Sequence, residues 1–184
     1  MSIVLVGSTS GSITLQEPAV AGTTVLNLPA VSGTIITTGS PQSGSVLQVV
    51  NVTDATERSS SSSTFADTGL TATITPKFAT SKILVLVSQN GCGKQTNNTY
   101  IFLRLLRDST TISNLERSGG YDNSANPNFF GSISTCYLDS PATTSSITYK
   151  TQYASGNNNA AVYVGAATGG VISMSTITLM EIAA

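Results

Sequence analysis

The sequence predicts an all-β protein. An extended, repetitive N-terminal arm, residues 1–44, precedes an antiparallel β-sandwich of jelly-roll type, the head, residues 45–184. Glycines recur at a fixed interval near the N-terminus, and short alternating runs of Val, Ile, Leu and Thr, separated by polar turns, fill the remainder. No stretch shows the apolar spacing of an amphipathic helix. These observations together predict the fold class.

The arm is built on an interval of eleven residues. Four glycines follow this interval, and each is followed by Ser or Thr: Gly11, Gly22, Gly33 and Gly44. The segments GSITLQEPAVA and GTTVLNLPAVS align well, whereas GTIITTGSPQS and GSVLQVV keep less of the repeat. A β-forming unit this short cannot bury its own apolar side, so it must stack on copies of itself, on other chains or on a scaffold. The arm is therefore predicted to be an assembly element, with a first strand at residues 3–6.

The head is predicted to contain nine strands at short spacing, as in a sandwich or jelly roll. KILVLV and YIFLRLL are almost continuous apolar runs, which is expected where both faces of a strand are covered, while ITYKTQY and ISMSTITLMEI alternate. The last strand is expected to be central or paired with the first strand of the head. The predicted strands are residues 46–52, 70–75, 82–89, 100–107, 109–115, 131–138, 146–153, 160–165 and 171–182.

Three segments between these strands are predicted to be turns or loops. The serine tract at residues 59–63 is predicted to be a solvated loop. Residues 91–94, GCGK, are predicted to form a tight turn after the strand at 82–89. Residues 118–130 are too many for an ordinary hairpin turn, and long loops in compact domains are usually functional or mobile.

This long segment supplies the candidate binding residues. They combine amide donors and acceptors with aromatic faces, which is the chemistry that sugar recognition uses. The alternative is that Phe129 and Phe130 anchor the loop to the core while the asparagines form turns. The candidate residues are Tyr121, Asp122, Asn123, Asn126, Asn128, Phe129 and Phe130.

Two arginines interrupt an otherwise apolar predicted strand. Arg104 and Arg107 are expected to pair with Asp108 or Glu116, at an edge or inside a subunit contact. The alternative is a salt bridge between subunits, although exposed pairs contribute only ~0–1 kcal/mol.

Composition argues against several classes of protein. The 184 residues include 8 basic and 9 acidic side chains, which form no positive surface for nucleic acid. No apolar run approaches the ~18 residues of a membrane span. The start of the chain lacks the basic region of a signal peptide, which favours synthesis in a reducing cytoplasm and free thiols at Cys92 and Cys136 over a single bridge. A surface with so little charge is poorly protected from self-association.

Catalytic chemistry lacks its usual components. Without histidine, no serine–histidine or cysteine–histidine nucleophile and no histidine-ligated metal can form. The carboxylates are scattered, so a glycosidase pair would require folding to bring two distant acids together. The sequence predicts a non-enzymatic protein with no catalytic residue, no metal and no cofactor.

The arm and the head resemble one family. GSTSGSITLQEPAVAGTTVLNLPAVSGTIITTGS resembles the N-terminal arms of bacteriophage tail-fibre and virion-appendage proteins, especially those of marine phages and cyanophages. The remainder, with SKILVLVSQNG, FLRLLRDSTTI, YLDSPATTSSITYKTQ and STITLMEIAA, is similar to the C-terminal domains of such proteins. Those domains are compact jelly rolls related in shape to tumour-necrosis-factor-like trimers. The resemblance therefore implies a homotrimer.

The function implied by this resemblance is structural. We expect a trimeric virion surface appendage of tail-fibre type, made in the host cytoplasm, that contributes to host attachment. Its expected partners are other virion proteins of the tail or capsid and a host surface glycan, with no nucleic acid and no membrane insertion. One alternative is a capsid decoration or cement protein whose arm clamps capsomers. An alternative of another class is a carbohydrate-binding module.

Overall fold

The computed structural model describes residues 3–16, 19–20, 22, 30, 32, 37–157, 160–168 and 171–184. The chain divides into two compact units, Met1–Ile35 and Ile36–Ala184. Throughout the described ranges the regular elements are β-strands in antiparallel pairs, which confirms the predicted fold class. The strands are β1 Ile3–Val6, β2 Ser12–Leu15, β3 Val46–Asp54, β4 Arg58–Ser60, β5 Ala66–Ile74, β6 Lys82–Lys94, β7 Ile101–Arg107, β8 Thr110–Gly119, β9 Asn128–Asp139, β10 Ile147–Ser155, β11 Val162–Val164, β12 Ala167–Thr168, β13 Val171–Ile172 and β14 Ser175–Ile182.

The first unit contains a β-hairpin made of β1 and β2. The strand predicted at residues 3–6 is present, and Leu5 lies opposite Ile13 in the register. The Gly7 amide donates to the Gly11 carbonyl at 2.9 Å and closes the turn. Leu5 is 56% exposed and Ile13 66% exposed, so this pair of apolar side chains remains largely in solvent.

The spaced glycines share a backbone conformation. Gly11, Gly22 and Gly44 have φ values of 79°, 58° and 83°, in the left-handed region that glycine adopts without steric cost. Gly33, the fourth member of the series, lies outside the described residues. The eleven-residue interval is therefore matched, at these three positions, by a recurring backbone geometry.

The second unit is a two-sheet sandwich with jelly-roll connectivity. One sheet has the order β5-β10-β7-β8, and the other contains β3-β14-β6, with β9 on the free edge of β6. The eight long strands, β3, β5, β6, β7, β8, β9, β10 and β14, therefore form two sets when numbered in chain order. Strands one, eight, three and six make one sheet, and strands two, seven, four and five make the other, which is jelly-roll connectivity. Strand β14 lies between β3 and β6, as predicted for the last strand.

The core lies between the two sheets. Alternate residues of β6 point inward, so Ile83, Val85 and Val87 are buried while Leu84 and Leu86 remain half-buried on the outer side. The main core cluster contains these three residues of β6 together with residues from both sheets. Its other members are Leu70, Ala72, Ile74, Leu105, Ile147, Tyr149, Ile177 and Leu179. A second cluster lies towards the β11 end of the sandwich and contains Cys92, Ile101, Leu103, Ile133, Tyr153, Val162 and Val164.

The predicted turn at residues 91–94 is wrong, because β6 continues through it to Lys94. The segment pairs with β9 on one edge and with β11 on the other, with register shifts between Gln89 and Gly93. Gly91 has a φ of 62°, and a β-carbon there would lie 2.3 Å from the Ala166 amide nitrogen. Glycine therefore permits a β-bulge and a close backbone approach inside a strand, which is a known use of strand glycines.

Two further predictions differ from the structure. The serine tract is not entirely a loop, since β4 includes Ser59 and Ser60 and pairs with β11. The predicted strand 171–182 is divided, because β13 turns away to pair with β12 while β14 begins at Ser175. The Asn90 side-chain amide donates to the Met174 carbonyl at 2.6 Å and stabilises the interruption between β13 and β14.

The arginines of β7 have partners other than those expected. Arg107 donates to both carboxylate oxygens of buried Asp139, at 3.0 and 2.8 Å, and the Tyr149 hydroxyl donates to the same carboxylate at 2.7 Å. Arg104 donates to the Gln152 side-chain oxygen at 3.1 and 2.6 Å. The expected pairing with Asp108 or Glu116 is therefore wrong. The ion pair instead links β7 to the end of β9 in the opposite sheet.

Both cysteines, Cys92 and Cys136, are free thiols, as predicted.

Glu181 is a buried carboxylate near the end of β14. It accepts hydrogen bonds from the Lys77 amide at 2.7 Å and from the Gln48 side chain at 2.6 Å. Burial alone would raise the pKa of Glu181, but the hydrogen-bond donors around it outweigh burial and hold the pKa below its ordinary value of 4.5. The ionised form is therefore favoured in the folded state, and it ties β14 to β3 and to the segment before β6.

Replacing this carboxylate is expected to destabilise the head. The change Glu181→Gln substitutes one acceptor oxygen by an amide that faces other donors, which costs about 1–3 kcal/mol at neutral pH. Because the folded-state pKa is lowered, the wild-type stabilisation is present above about pH 4.5 and is lost as pH falls through the folded-state pKa. Urea unfolding from pH 7 to pH 3 measures both effects. A variant with wild-type stability at pH 7 and an unchanged acid slope would contradict this role.

Candidate functional site

The structure divides the predicted binding residues between a loop and a strand. Residues 121–126 lie in the loop between β8 and β9, while Asn128, Phe129 and Phe130 begin β9. Phe130 packs against the second core cluster, and a β-carbon on Gly120 would lie 2.6 Å from its ring. Phe129 lies across Gly93 and is tilted against Tyr163, with ring centroids 5.6 Å apart. Phe130 therefore does what the alternative interpretation predicted, whereas Phe129 is 46% exposed.

A buried lysine fixes the loop from beneath. Lys94 is fully buried, and its ammonium donates to the Asp122 carboxylate and to the Thr96 and Ser124 carbonyls, the latter two at 3.1 and 3.2 Å. Hydrogen bonds from Lys94 and then from the Ser124 amide lower the pKa of Asp122. The Asn128 side-chain amide also donates to this carboxylate, at 3.1 Å. Asp122 and Asn128 therefore have structural roles.

The remaining predicted residues are exposed. Asn123 and Asn126 lie at the outer part of the loop, where the Asn126 amide donates to the Ser124 hydroxyl at 3.3 Å. Tyr121 is 58% exposed, and its hydroxyl donates to the Asn98 side-chain oxygen at 3.3 Å. Of the seven candidates, Tyr121, Asn123, Asn126 and Phe129 present surface that a ligand could contact.

Tyr121 is one end of a row of four aromatic rings, which we call the aromatic row: Tyr121, Tyr100, Phe102 and Phe65. Successive ring centroids are 5.5, 5.2 and 6.4 Å apart, with edge-to-face contacts at Tyr100 and a stacked contact between Phe102 and Phe65. Tyr100 rests on Gly156, where a β-carbon would lie 2.0 Å from the ring. The row lies at the outer side of the four-stranded sheet and leads to the predicted loop.

Sequence reasoning missed most of this row. The apolar run YIFLRLL predicts a strand covered on both faces, which gives no reason to place Tyr100 and Phe102 at a surface, and Phe65 lies in a polar segment before β5. The usable signal was the alternation of Tyr100, Phe102 and Arg104, which places these side chains on the outer face of β7.

Two guanidinium groups accompany the aromatic row. The Arg104 guanidinium carbon lies 3.8 Å from the Phe65 ring centroid, a cation–π contact. The Arg117 guanidinium carbon is 6.0 Å from the Phe102 centroid. Beside the Arg117 guanidinium and the Phe102 ring lies an open cavity of about 200 Å³. It is lined by Phe65, Phe102, Leu103, Asn114, Glu116 and Arg117.

The outer face of the six-stranded sheet carries a second distinct surface, the apolar belt. In the sheet register Val49 lies beside Met180, Met180 beside Leu84, and Leu84 beside Leu138. These four side chains therefore form one row across β3, β14, β6 and β9. Leu86 extends the belt into the next row. Val49 is 56% and Leu138 50% exposed, and the other three are half-buried.

The described ranges contain no group of three His, Cys, Asp or Glu side chains arranged to hold a metal ion. Within the same ranges no helix is long and apolar enough to cross a membrane. The two surfaces offer different groups for noncovalent contact: aromatic faces, guanidinium and amide groups at one, and aliphatic side chains at the other.

No protein-family model and no curated protein matches the sequence. Solved structures of infectious bursal disease virus match this chain at 14% identity: the match to a Gt-strain structure covers 98% of this chain with a TM-score of 0.41, and the match to a T13 viral particle covers 94% with a TM-score of 0.41. T=1 particles derived from a D431N mutant of the VP2 protein match at 14% identity, 94% coverage and a TM-score of 0.39. This chain spans 46%, 45% and 46% of those three chains. Likeness at this level does not support a function.

Removing the buried ammonium is expected to loosen the loop without unfolding the head. In Lys94→Met an apolar chain of similar length replaces the lysine, so the pKa of Asp122 rises towards its ordinary value and amides at 121–127 exchange faster. NMR titration and hydrogen exchange measure these changes. Lys150→Met, which removes the more exposed pair with Asp67 at 3.0 Å, is the matched control and should leave the loop unchanged. Loop exchange that is equally slow in both variants would contradict the anchoring role.

Proposed function

We propose that the protein is a non-enzymatic structural protein of a bacteriophage virion, a homotrimeric surface appendage of tail-fibre type that contributes to host attachment. The observation that carries the proposal is the apolar belt. A folded head that leaves a row of aliphatic side chains across four strands in solvent has surface suited to a subunit contact. The belt contains no charged residue, so its burial requires no compensating ion pair.

The geometry of the belt favours contact between copies of the head. Fully burying a large aliphatic side chain contributes about 1.5–3 kcal/mol, and each of these five partly exposed residues would contribute a fraction of that on association. Closed cyclic symmetry would cover the same face in every copy. Three copies, rather than another number, follow from the resemblance to trimeric phage appendages.

The arm supports attachment to other virion proteins. An isolated two-stranded hairpin is marginally stable in water, and the β1–β2 hairpin exposes Leu5 and Ile13. Contact with tail or capsid proteins would cover these side chains and pair the open strand edges. We propose residues 1–44 as the attaching arm and residues 45–184 as the outward-facing head.

The second candidate function is capsid decoration, which the exposed hairpin favours. An arm that inserts apolar strands between capsomers would act as a clamp, and the head would then be displayed passively. Host attachment is supported instead by the aromatic row and its cavity, which would contact a host surface glycan through Tyr121 and the outer loop residues. The virion surface is the location that both candidates share.

A charge placed in the belt is expected to dissociate the oligomer. Leu138→Arg introduces an unpaired cation into the contact, which costs about 3–5 kcal/mol per buried charge. Native mass spectrometry of the full chain should give a trimer for the wild type and a monomer for the variant. Val171→Arg is the matched control, because Val171 is also apolar and is 74% exposed but lies outside the belt. A wild-type monomer at micromolar concentration would overturn the proposal.

Deleting residues 1–35 is expected to abolish attachment to the virion while leaving the head folded. The head should stay folded, because the Gly44 amide to Ala183 carbonyl and Ala183 amide to Ser45 carbonyl hydrogen bonds, at 2.8 and 2.9 Å, are retained. Incorporation into particles should be lost, as measured by antibody labelling of virions, which also distinguishes tail from capsid. A shortened protein that still enters particles would contradict the role proposed for the arm.

A further inference from the structure

We propose that the cavity beside Phe102 binds a monoanionic sugar, a pyranose of the uronic-acid class. The inference deepens the proposed function and rests on it, since it names the class of glycan that the head would recognise. It places this sugar at the start of β7 and the end of β8, beside the loop residues proposed above to contact the glycan.

The aromatic floor of the cavity suits the apolar face of a sugar ring. Arg104 already occupies one face of Phe65, with its guanidinium carbon 3.8 Å from the ring centroid. The Arg117 guanidinium carbon lies 6.0 Å from the Phe102 centroid, beyond van der Waals contact. The side chains of Arg117 and Phe102 both line the cavity. A pyranose can therefore stack its C–H face on Phe102 while its polar edge points towards Arg117.

The charges around the cavity favour one negative group on the ligand. Within the described part of the chain Arg117 makes no ion pair, and Arg104 is bonded to the neutral Gln152 side chain. Nearby Lys150 and Asp67 are paired with each other at 3.0 Å. Arg117 and Glu116 are the charged groups of the lining, and Arg104 adds a second guanidinium beside it, on the Phe65 ring, so two guanidinium groups lie near one carboxylate. A single sugar carboxylate would balance this excess, and a guanidinium is well suited to bind it in bidentate fashion.

The remaining lining groups suit sugar hydroxyls. The Glu116 carboxylate is held in place because one of its oxygens accepts from the Arg117 and Ser118 amides, at 2.8 and 2.9 Å. Asn114 is exposed and offers both a donor and an acceptor. A carboxylate and an amide beside an aromatic floor can accept and donate to neighbouring hydroxyls. A phosphate monoester, with a charge of about −1.5 to −2 at neutral pH, would be repelled by Glu116 more strongly than a single carboxylate.

The test compares methyl β-glucuronide with methyl β-glucoside on the full-length protein, by ligand-observed NMR titration at low and high salt. The glucuronide is expected to bind at least about 10-fold more tightly, and the difference should shrink as salt screens the Arg117 contact. Arg117→Gln should remove the difference, whereas Phe102→Leu should weaken both sugars. Lys82→Gln, at an exposed position at the start of β6, is the matched control and should change neither affinity.

Equal affinity for the two sugars, an unchanged preference in Arg117→Gln, or no binding of either sugar at millimolar concentration would each overturn the inference. Native mass spectra of the same samples report the trimer separately. A trimer that binds neither sugar defeats this inference and leaves the structural role intact, whereas a monomer defeats the structural role whatever the sugars do.

Discussion

The head depends on β6 staying extended over thirteen residues. Strand β14 pairs with its first half, β11 with its last two residues, and β9 with the opposite edge. The chain can continue past Gln89 because Gly91 absorbs a bulge against the Ala166 backbone. The end of this strand places Lys94 in the interior, where its ammonium donates a hydrogen bond to the Asp122 carboxylate. The second core cluster and the loop at residues 121–126 therefore both rely on a segment that contains two glycines.

Local pattern predicted much of this fold, because alternation and apolar runs report which side chains a sheet buries. Residues 147–153 and 82–89 lie in strands for that reason. Pairing partners are long-range and override local preference. Serine is a poor strand former in isolation, yet Ser59 is paired opposite Tyr163. Glycines usually mark turns, yet Gly93 pairs with strands on both edges of β6. Neither pairing can be inferred from neighbouring residues.

The two candidate surfaces lie on opposite faces of the sandwich, so assembly and ligand binding would not compete for the same area.

The composition of the loop made Tyr121 and Asp122 candidate residues, but it could not indicate Lys94 or Phe65, which approach from distant parts of the chain. The belt was partly foreseeable. The apolar run of β6 predicted cover on both faces, and the described head covers the inner face fully while leaving Leu84 half-buried on the outside.

The free cysteines have a consequence for where such a fold can exist. No covalent cross-link contributes to the sandwich, so its stability does not depend on the redox potential of its surroundings. Burial raises the pKa of the Cys92 thiol to about 12, and a thiol that stays protonated is a poor target for oxidants. The sandwich therefore has no disulfide that a reducing environment could break, while Cys136 keeps a thiol at the surface that oxidants can reach.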